Sequence, residues 1–219
     1  MNKEKQERLQ KLEVLRKTFG IEIQRFEKDF GVNSYLNRAP RIVDDSKLEG
    51  AVLLSDRYQL LERLPRRGIV AEIGVDQGHF SKSIIEICYP DELFLIDIDL
   101  SRLHPENEEL LRASKCVRLI EGRSETSISN INKTFTWIYI DGDHSYEQVK
   151  RDIIESHEKI VQGGYLVFND YTLWSPANMM NYGVSRAVNE FLNSTTNWEL
   201  AYFAFQGGGY HDLALRRRA

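Results

Sequence analysis

The chain is poor in sulfur and proline and carries no surplus of positive charge, and each shortage narrows what it can be. Of its 219 residues only Cys88 and Cys116 are cysteines. Two distant thiols without a Cys/His cluster exclude a small disulfide-stapled domain and a structural zinc site, and they fit a reducing cytoplasm. Lys and Arg number 29 against 33 Asp and Glu, a formal net charge of -4. Nothing overall attracts a phosphate backbone, so nucleic acid is not an expected partner. The run Arg216-Arg217-Arg218 reads as a solvated tail. No apolar run reaches the roughly 18 residues that span a bilayer, and residues 1–10 lack the apolar centre of a signal peptide. A membrane is not expected either.

What remains is an ordinary globular composition, 42% hydrophobic and 28% charged, long enough for one α/β domain and short for two. Between Leu9 and Phe30 apolar residues recur at Leu12, Leu15, Phe19, Ile23 and Phe26, a spacing that predicts one helical stripe interrupted at Gly20. Residues 1–50 are read as a helical arm and loop. The arm would cover the domain or pair two copies into a homodimer; a substrate lid is the other option. A polar loop around Ala39-Pro40 follows, and Ser55-Asp56 caps a helix through Leu60, Leu61 and Leu64.

Then the period changes. Strand-length apolar runs stand at Ile69–Ile73, Leu93–Ile96, Val117–Ile120, Thr136–Ile140 and Tyr165–Phe168, separated by stretches of helical spacing. Phe80, Ile84 and Ile87 share one helical face, and Val149, Ile153 and Ile160 another. Ser145 and Gln148 have the spacing of a capping box. A last helix carries Val184, Val188 and Phe191, and Trp198–Phe205 with His211–Leu215 flank three glycines as an antiparallel hairpin. The whole predicts a Rossmann-like, doubly wound α/β domain over residues 51–219, with a mostly parallel seven-stranded sheet closed by that hairpin.

In such sheets ligands lie beyond the carboxyl ends of the strands. After the first run stands Glu72-Ile73-Gly74-Val75-Asp76-Gln77-Gly78, where two glycines four apart allow a sharp turn and a close backbone approach. Asp76 occupies the position where a dinucleotide loop has its second glycine, and its carboxylate would repel phosphate and suit a cationic or zwitterionic ligand. Alone, the loop reads equally as a strand-to-helix turn with incidental glycines. The second run, however, ends in Asp97-Ile98, where an acid can accept hydrogen bonds from ribose hydroxyls, and the third in Glu121-Gly122-Arg123-Ser124, where a loop would border an adenine.

With Val70 to Gly78 as cofactor loop and Asp97 as ribose acid, the sequence from about Ile69 to Leu215 resembles the class I S-adenosylmethionine (SAM)-dependent methyltransferases. The resemblance implies a SAM site built from Glu72, Gly74, Asp76, Gly78, Asp97, Ile98, Arg123, Ser124 and Asp141.

Beyond the fourth and fifth runs lie Asp141-Gly142-Asp143-His144 and Asn169-Asp170. Hard oxygen donors of this kind suit Mg²⁺, Ca²⁺ or Mn²⁺. The phrases Tyr139 to Tyr146 and Gly163 to Asp170 resemble the catechol, caffeoyl-coenzyme A and macrocin-type O-methyltransferases, the last most closely. That resemblance implies a divalent ion, Mg²⁺ among the options, on Asp141, Asn169 and Asp170, with Asp141 and His144 as catalytic residues and His144 standing where the catechol enzymes have a lysine base. The amide-then-acid order of Asn169 and Asp170 reverses the catechol order. The acceptor implied is a small-molecule hydroxyl, from a sugar, a phenol or another natural product.

Simpler roles stand beside these. Asp143 is equally a helix cap, His157 a packed core histidine, and His79 a cofactor contact or a solvated ring; His104 and His211 carry no spacing signal. Trp174, Met179, Met180 and Tyr182 form either an acceptor wall or ordinary packing, and the 36–48 loop could also face the acceptor. An NAD-dependent oxidoreductase, a metal-dependent hydroxylase-like relative and a catalytically silent cofactor binder share the same framework.

Overall fold

The computed structural model describes residues 2–31, 35 and 43–218. Two compact units divide the chain at residue 39. The first contains α1 (Lys3–Phe30), whose N-cap Asn2 accepts a hydrogen bond from the Glu4 amide. Helix α1 runs through Gly20 without a break, and none of its side chains is buried. Leu12, Leu15 and Phe26 of the predicted stripe are exposed, while Phe19 and Ile23 are half-buried. No helix among the described residues is long and apolar enough to cross a membrane. Ala39-Pro40 and the 36–42 part of the predicted loop lie outside the described residues.

The second unit comprises, in chain order, β1 (Val52–Leu54), α2 (Arg57–Arg63), β2 (Ile69–Ile73), α3 (His79–Cys88), β3 (Glu92–Asp97), α4 (Pro105–Ala113) and β4 (Val117–Glu121). It continues with α5 (Ser124–Asn130), β5 (Phe135–Ile140), α6 (Tyr146–Ser156), β6 (Ile160–Phe168), β7 (Trp174–Ser175), β8 (Met180–Asn181), α7 (Val184–Ser194), β9 (Trp198–Phe205) and β10 (His211–Arg217). The main sheet has the order β1-β9-β10-β6-β5-β2-β3-β4, with β10 antiparallel to both neighbours and the other pairs parallel. The seven expected strands are all present. An eighth, the three-residue β1, pairs parallel with β9 at the edge, too short for periodicity to reveal.

The central strands are continuously apolar because both faces are covered. Val70, Leu93, Leu95, Trp137, Tyr139 and Val167 pack on one side with Leu60, Leu61, Phe80, Ile84 and Leu111 of α2, α3 and α4. Ala71, Ile96, Ile138, Ile140 and Phe168 pack on the other with Ile128, Val149, Ile153, Val184 and Val188 of α5, α6 and α7. Successive strand residues thus alternate between two cores. Ile160 was expected on the face of α6, but that helix ends at Ser156 and Ile160 opens β6. The register slips between β5 and β6 near this point, and Gly163 adopts φ +75° there.

Strand β2 has β3 on one side and β5 on the other. The chain leaves β2 toward β3 and β4, then returns across it to β5, so the strand order reverses beside β2. Such a reversal opens a crevice at the carboxyl ends of the strands.

Helix α2 enters this end of the sheet. Its cap is Asp56, whose Oδ1 accepts from the Tyr58 and Gln59 amides at 2.9 Å each. Replacing Asp56 by Ala removes both bonds and is expected to cost about 1 kcal/mol of stability, with Asp56→Ser losing much less. Urea unfolding of the two variants checks this.

Candidate functional site

At the crevice, β2 and β5 approach closely enough to dictate a glycine. The Asp141 amide donates to the Ile73 carbonyl at 2.7 Å and the Gly74 amide to the Ile96 carbonyl at 2.8 Å. Gly74 has φ +87°, and a Cβ there would lie 2.0 Å from the Asp141 carbonyl oxygen. Gly78 also has positive φ, and a Cβ on it would press on Leu103, Leu111 and Asn107. The loop between them is pinned by Asp97, whose Oδ2 accepts from the Val75 and Asp76 amides at 2.6 and 3.0 Å and whose Oδ1 accepts from the Asp99 amide at 3.0 Å. Asp97 therefore braces the glycine loop, a use that the sequence did not reveal.

A cavity of about 480 Å³ opens here. Of the residues expected to hold a nucleoside, Gly74, Asp76, Asp97, Ile98, Arg123, Ser124 and Asp141 line it. Glu72 and Gly78 do not. Glu72 is only 1% exposed and accepts from the Ser81 hydroxyl at 2.5 Å; burial, with Asp141 and Asp97 adding to it, pushes its pKa up to about 8, against the opposing Ser81 hydrogen bond and Arg57. It is a neutral brace beneath the loop. The Asp76 carboxylate, expected to face a cationic ligand, is matched at 2.5 Å by Arg102, another cavity residue.

The far wall holds a polar cluster around Gln148. Its amide nitrogen donates to Ser124 Oγ at 3.1 Å, Glu125 Oε2 at 3.2 Å and Asp152 Oδ1 at 3.0 Å. Ser124 Oγ itself donates to Asp152 at 2.6 Å, and burial raises the Asp152 pKa to about 6. The capping box forms only in part. Ser145 Oγ accepts from the Gln148 amide at 3.4 Å, but Asp143, not the Gln148 side chain, accepts from the Ser145 amide, at 2.7 Å.

Asp141 faces both the cavity and a second cluster. His144 Nε2 lies 3.5 Å from Asp141 Oδ1 and 3.6 Å from Asp170 Oδ2, and the imidazole stacks on Tyr182 with centroids 4.4 Å apart and planes 3° from parallel. Burial lowers the His144 pKa, but Asp141, Asp170 and Asn169 outweigh it and leave the imidazole above its usual value. Burial and Asp141 raise Asp170 to about 6 against the pull of His144 and Arg57. Asp170 also has φ +52°, backbone strain of the kind that gathers at functional positions.

The three residues of the expected metal set, Asp141, Asn169 and Asp170, all border the His144 ring. Asn169 is buried, and its amide nitrogen donates to Tyr139 Oη at 3.2 Å and Asp212 Oδ1 at 3.1 Å. Among the described residues no three His, Cys, Asp or Glu side chains converge in metal-holding geometry; the His144 ring stands close to both Asp141 and Asp170.

Periodicity also missed a buried network. Tyr139 Oη donates to Asp212 Oδ2 at 2.5 Å, Gln206 donates to Asp212 as well, and Arg57 Nε lies 3.9 Å from the same carboxylate. Asp212 is fully buried, which raises its pKa to about 6 although Arg57, Tyr139 and Gln206 oppose the rise. A lone acid beside the apolar run Leu213 to Leu215 was the available signal. Of the other histidines, His79 is exposed, with Nδ1 3.0 Å from Asn107 Nδ2, and His157 is half-buried against Phe191 rather than a core residue. Of the suggested acceptor wall, Tyr182 is buried against His144 while Met179 and Met180 are half exposed.

A family model described as a methyltransferase domain matches residues 71–171. No curated protein matched the sequence. Solved structures share the fold at low identity. An O-methyltransferase of tomaymycin synthesis from Streptomyces achromogenes, in complex with SAM, is 16% identical, with 74% of this chain and 80% of that one covered and a TM-score of 0.58. An N-methyltransferase from Bradyrhizobium japonicum is 16% identical, covering 74% and 95% with a TM-score of 0.54. An rRNA methylase from Streptococcus thermophilus is 11% identical, covering 74% and 95% with a TM-score of 0.57. This chain has the fold common to these enzymes.

Three buried carboxyls and the half-buried Asp170, all with raised pKa values, impose a direction on stability. Each keeps its proton in the folded state to higher pH than in the unfolded chain, so its contribution is full below the unfolded value and is lost as pH rises. The loss runs from about pH 4 to about 6 for Asp152, Asp170 and Asp212 and on to about 8 for Glu72. Melting temperature is therefore expected to fall from pH 6 to 8, and Glu72→Gln, which mimics the protonated acid, to flatten that stretch. An unchanged slope in the variant would mean that Glu72 is already ionised at pH 6.

Proposed function

We propose that this chain is a SAM-dependent methyltransferase acting on a hydroxyl of a small molecule. The observation that carries the reading is Asp141, which lines the nucleoside-sized cavity on one side and stands 3.5 Å from a half-buried imidazole on the other. The residues fit the cofactor. Gly74 lets the loop turn along the cavity wall, Asp97 and Asp99 offer carboxylates near the loop, and the Ser124-Gln148-Glu125 cluster supplies donors and acceptors for a base edge. When bound, SAM supplies a methyl group made electrophilic by a sulfonium.

The protein's task is then positional and protolytic. Holding the acceptor oxygen in line with the methyl carbon is worth effective molarities of about 10⁵ M or more, and the rigid β2–β5 contact provides a fixed frame for it. A hydroxyl also needs to lose its proton, and His144 is the base placed to take it, typically a gain of about 10² to 10⁴ in rate. Asp141 and Asp170 orient the ring and stabilise the imidazolium that forms, while Tyr182 holds its plane. Were a divalent ion bound, the oxygens of Asp141, Asn169 and Asp170 would hold it, and it would lower the pKa of the acceptor hydroxyl.

The fold is shared by O-, N- and rRNA-methylating enzymes and does not choose among acceptors. A hydroxyl is favoured because a neutral amine needs no base of this kind, and a small molecule because the net charge of -4 offers no purchase for RNA.

Calorimetric titration with S-adenosylhomocysteine, with NAD as control, tests the reading first. Micromolar binding of the former alone is expected; binding of NAD alone would replace a methyltransferase with an oxidoreductase. His144→Ala is expected to bind S-adenosylhomocysteine as the parent does and to lose about 100-fold or more in turnover. For the parent, kcat/KM should rise with pH through an inflection above the ordinary imidazole value, and Asp170→Asn should move that inflection to lower pH, since one of the two carboxylates that hold the proton on is gone.

A further inference from the structure

Arg57, the first residue of α2, is a cation set near Asp141, Asp170 and Asp212, and its Nε has no hydrogen-bond acceptor. Its guanidinium carbon lies 4.9 Å above the Phe80 ring. The side chain is 23% exposed, and its Nε is buried without a hydrogen-bond partner. The nearest carboxylate, Asp212, stays 3.9 Å away from Nε and is already satisfied by Tyr139, Asn169 and Gln206. Asp141 and Asp170 are near enough to act on Arg57 electrostatically, but they face His144.

A desolvated donor without an acceptor costs free energy that a ligand can recover. A planar guanidinium matches a carboxylate, which it binds through two parallel N–H···O bonds. We propose that Arg57 is a carboxylate-binding residue, receiving the carboxylate of a ligand that reaches the Asp141-Asp170 end of the site. Two ligands of the reaction proposed above could bring that group: the acceptor, or the amino-acid end of the cofactor. Arg57 does not line the 480 Å³ cavity, so it extends the site beyond the nucleoside.

The proposal rests on the methyltransferase reading only for the cofactor as source, and the test separates the two. Parent and Arg57→Gln are titrated calorimetrically with S-adenosylhomocysteine and with 5′-methylthioadenosine, which lacks the amino-acid portion. Both proteins are also titrated with benzoate and salicylate, and with the uncharged benzamide and salicylamide. Arg57→Lys, which keeps the charge and loses the fork, and melting curves for each variant show whether the fold survives.

A drop of tenfold or more for S-adenosylhomocysteine with methylthioadenosine unchanged assigns the cofactor's carboxylate to Arg57. Unchanged S-adenosylhomocysteine, with carboxylates preferred over amides by the parent and not by Arg57→Gln, assigns the acceptor's. If a folded Arg57→Gln binds every probe as the parent does, the proposal is overturned and Arg57 is only a counter-ion for Asp212. If the parent binds neither adenosine compound, the methyltransferase reading fails, and the carboxylate and amide arm decides Arg57 by itself.

Discussion

The contact between the ends of β2 and β5 is the constraint on which the site depends. Strand order reverses at β2, so its neighbour β5 arrives from the opposite direction of winding, and the Asp141 carbonyl comes to rest where any side chain on residue 74 would have to be. Because Gly74 yields that space, the loop turns sharply enough for Asp97 to grip the Val75 and Asp76 amides. The same contact places Asp141 at the partition between cavity and imidazole. The cavity wall and the imidazole cluster are therefore set by one backbone approach, not by two independent arrangements.

Around this contact the protein buries more carboxyl groups than it can pair with cations. It copes in two ways. Glu72 gives up its charge and becomes a neutral hydrogen-bonding group under the loop, whereas Asp212 gathers donors from β5, from the residue after β6 and from the residue after β9. Such networks are favourable only when nearly every member is satisfied. Among the described residues Arg57 Nε, His144 Nε2 and Asp152 Oδ2 stay unpartnered, and the first two belong to the cluster around Asp141 and Asp170.

The strand-end logic of the sequence picked out most of the expected residues that line the cavity, because the crevice of a doubly wound sheet follows the apolar runs directly. Gly74, Asp97, Ser124, Asp141 and His144 could be named from position alone. What escaped was set by tertiary geometry. Glu72 stands within the motif yet points inward, and nothing in the sequence distinguishes an acid under a loop from one on it. Gln148 has capping-box spacing, but a cavity wall took its side chain. Arg57 follows a helix cap and looks like a solvated first-turn residue; only the packing of α2 against α3 brings it over Phe80. The strand β1 was too short for a pattern, and Ile160 mimicked the next turn of a helix that had already ended.

The place of β10 between β6 and β9 has a consequence for synthesis on the ribosome. Every partner of Asp212 precedes it in the chain, and β6 is left with an open edge until the last-made strand slides in. A nascent chain that has emerged only through Gln206 holds Tyr139 and Asn169 without their acceptor and presents an apolar strand edge, the kind of surface that chaperones cover. The strands from β2 to β5 that frame the cavity all precede β10, but the Asp212 network behind Asn169 closes only after β10 has emerged. Incomplete chains thereby carry the cavity's walls before the buried network beside them is satisfied.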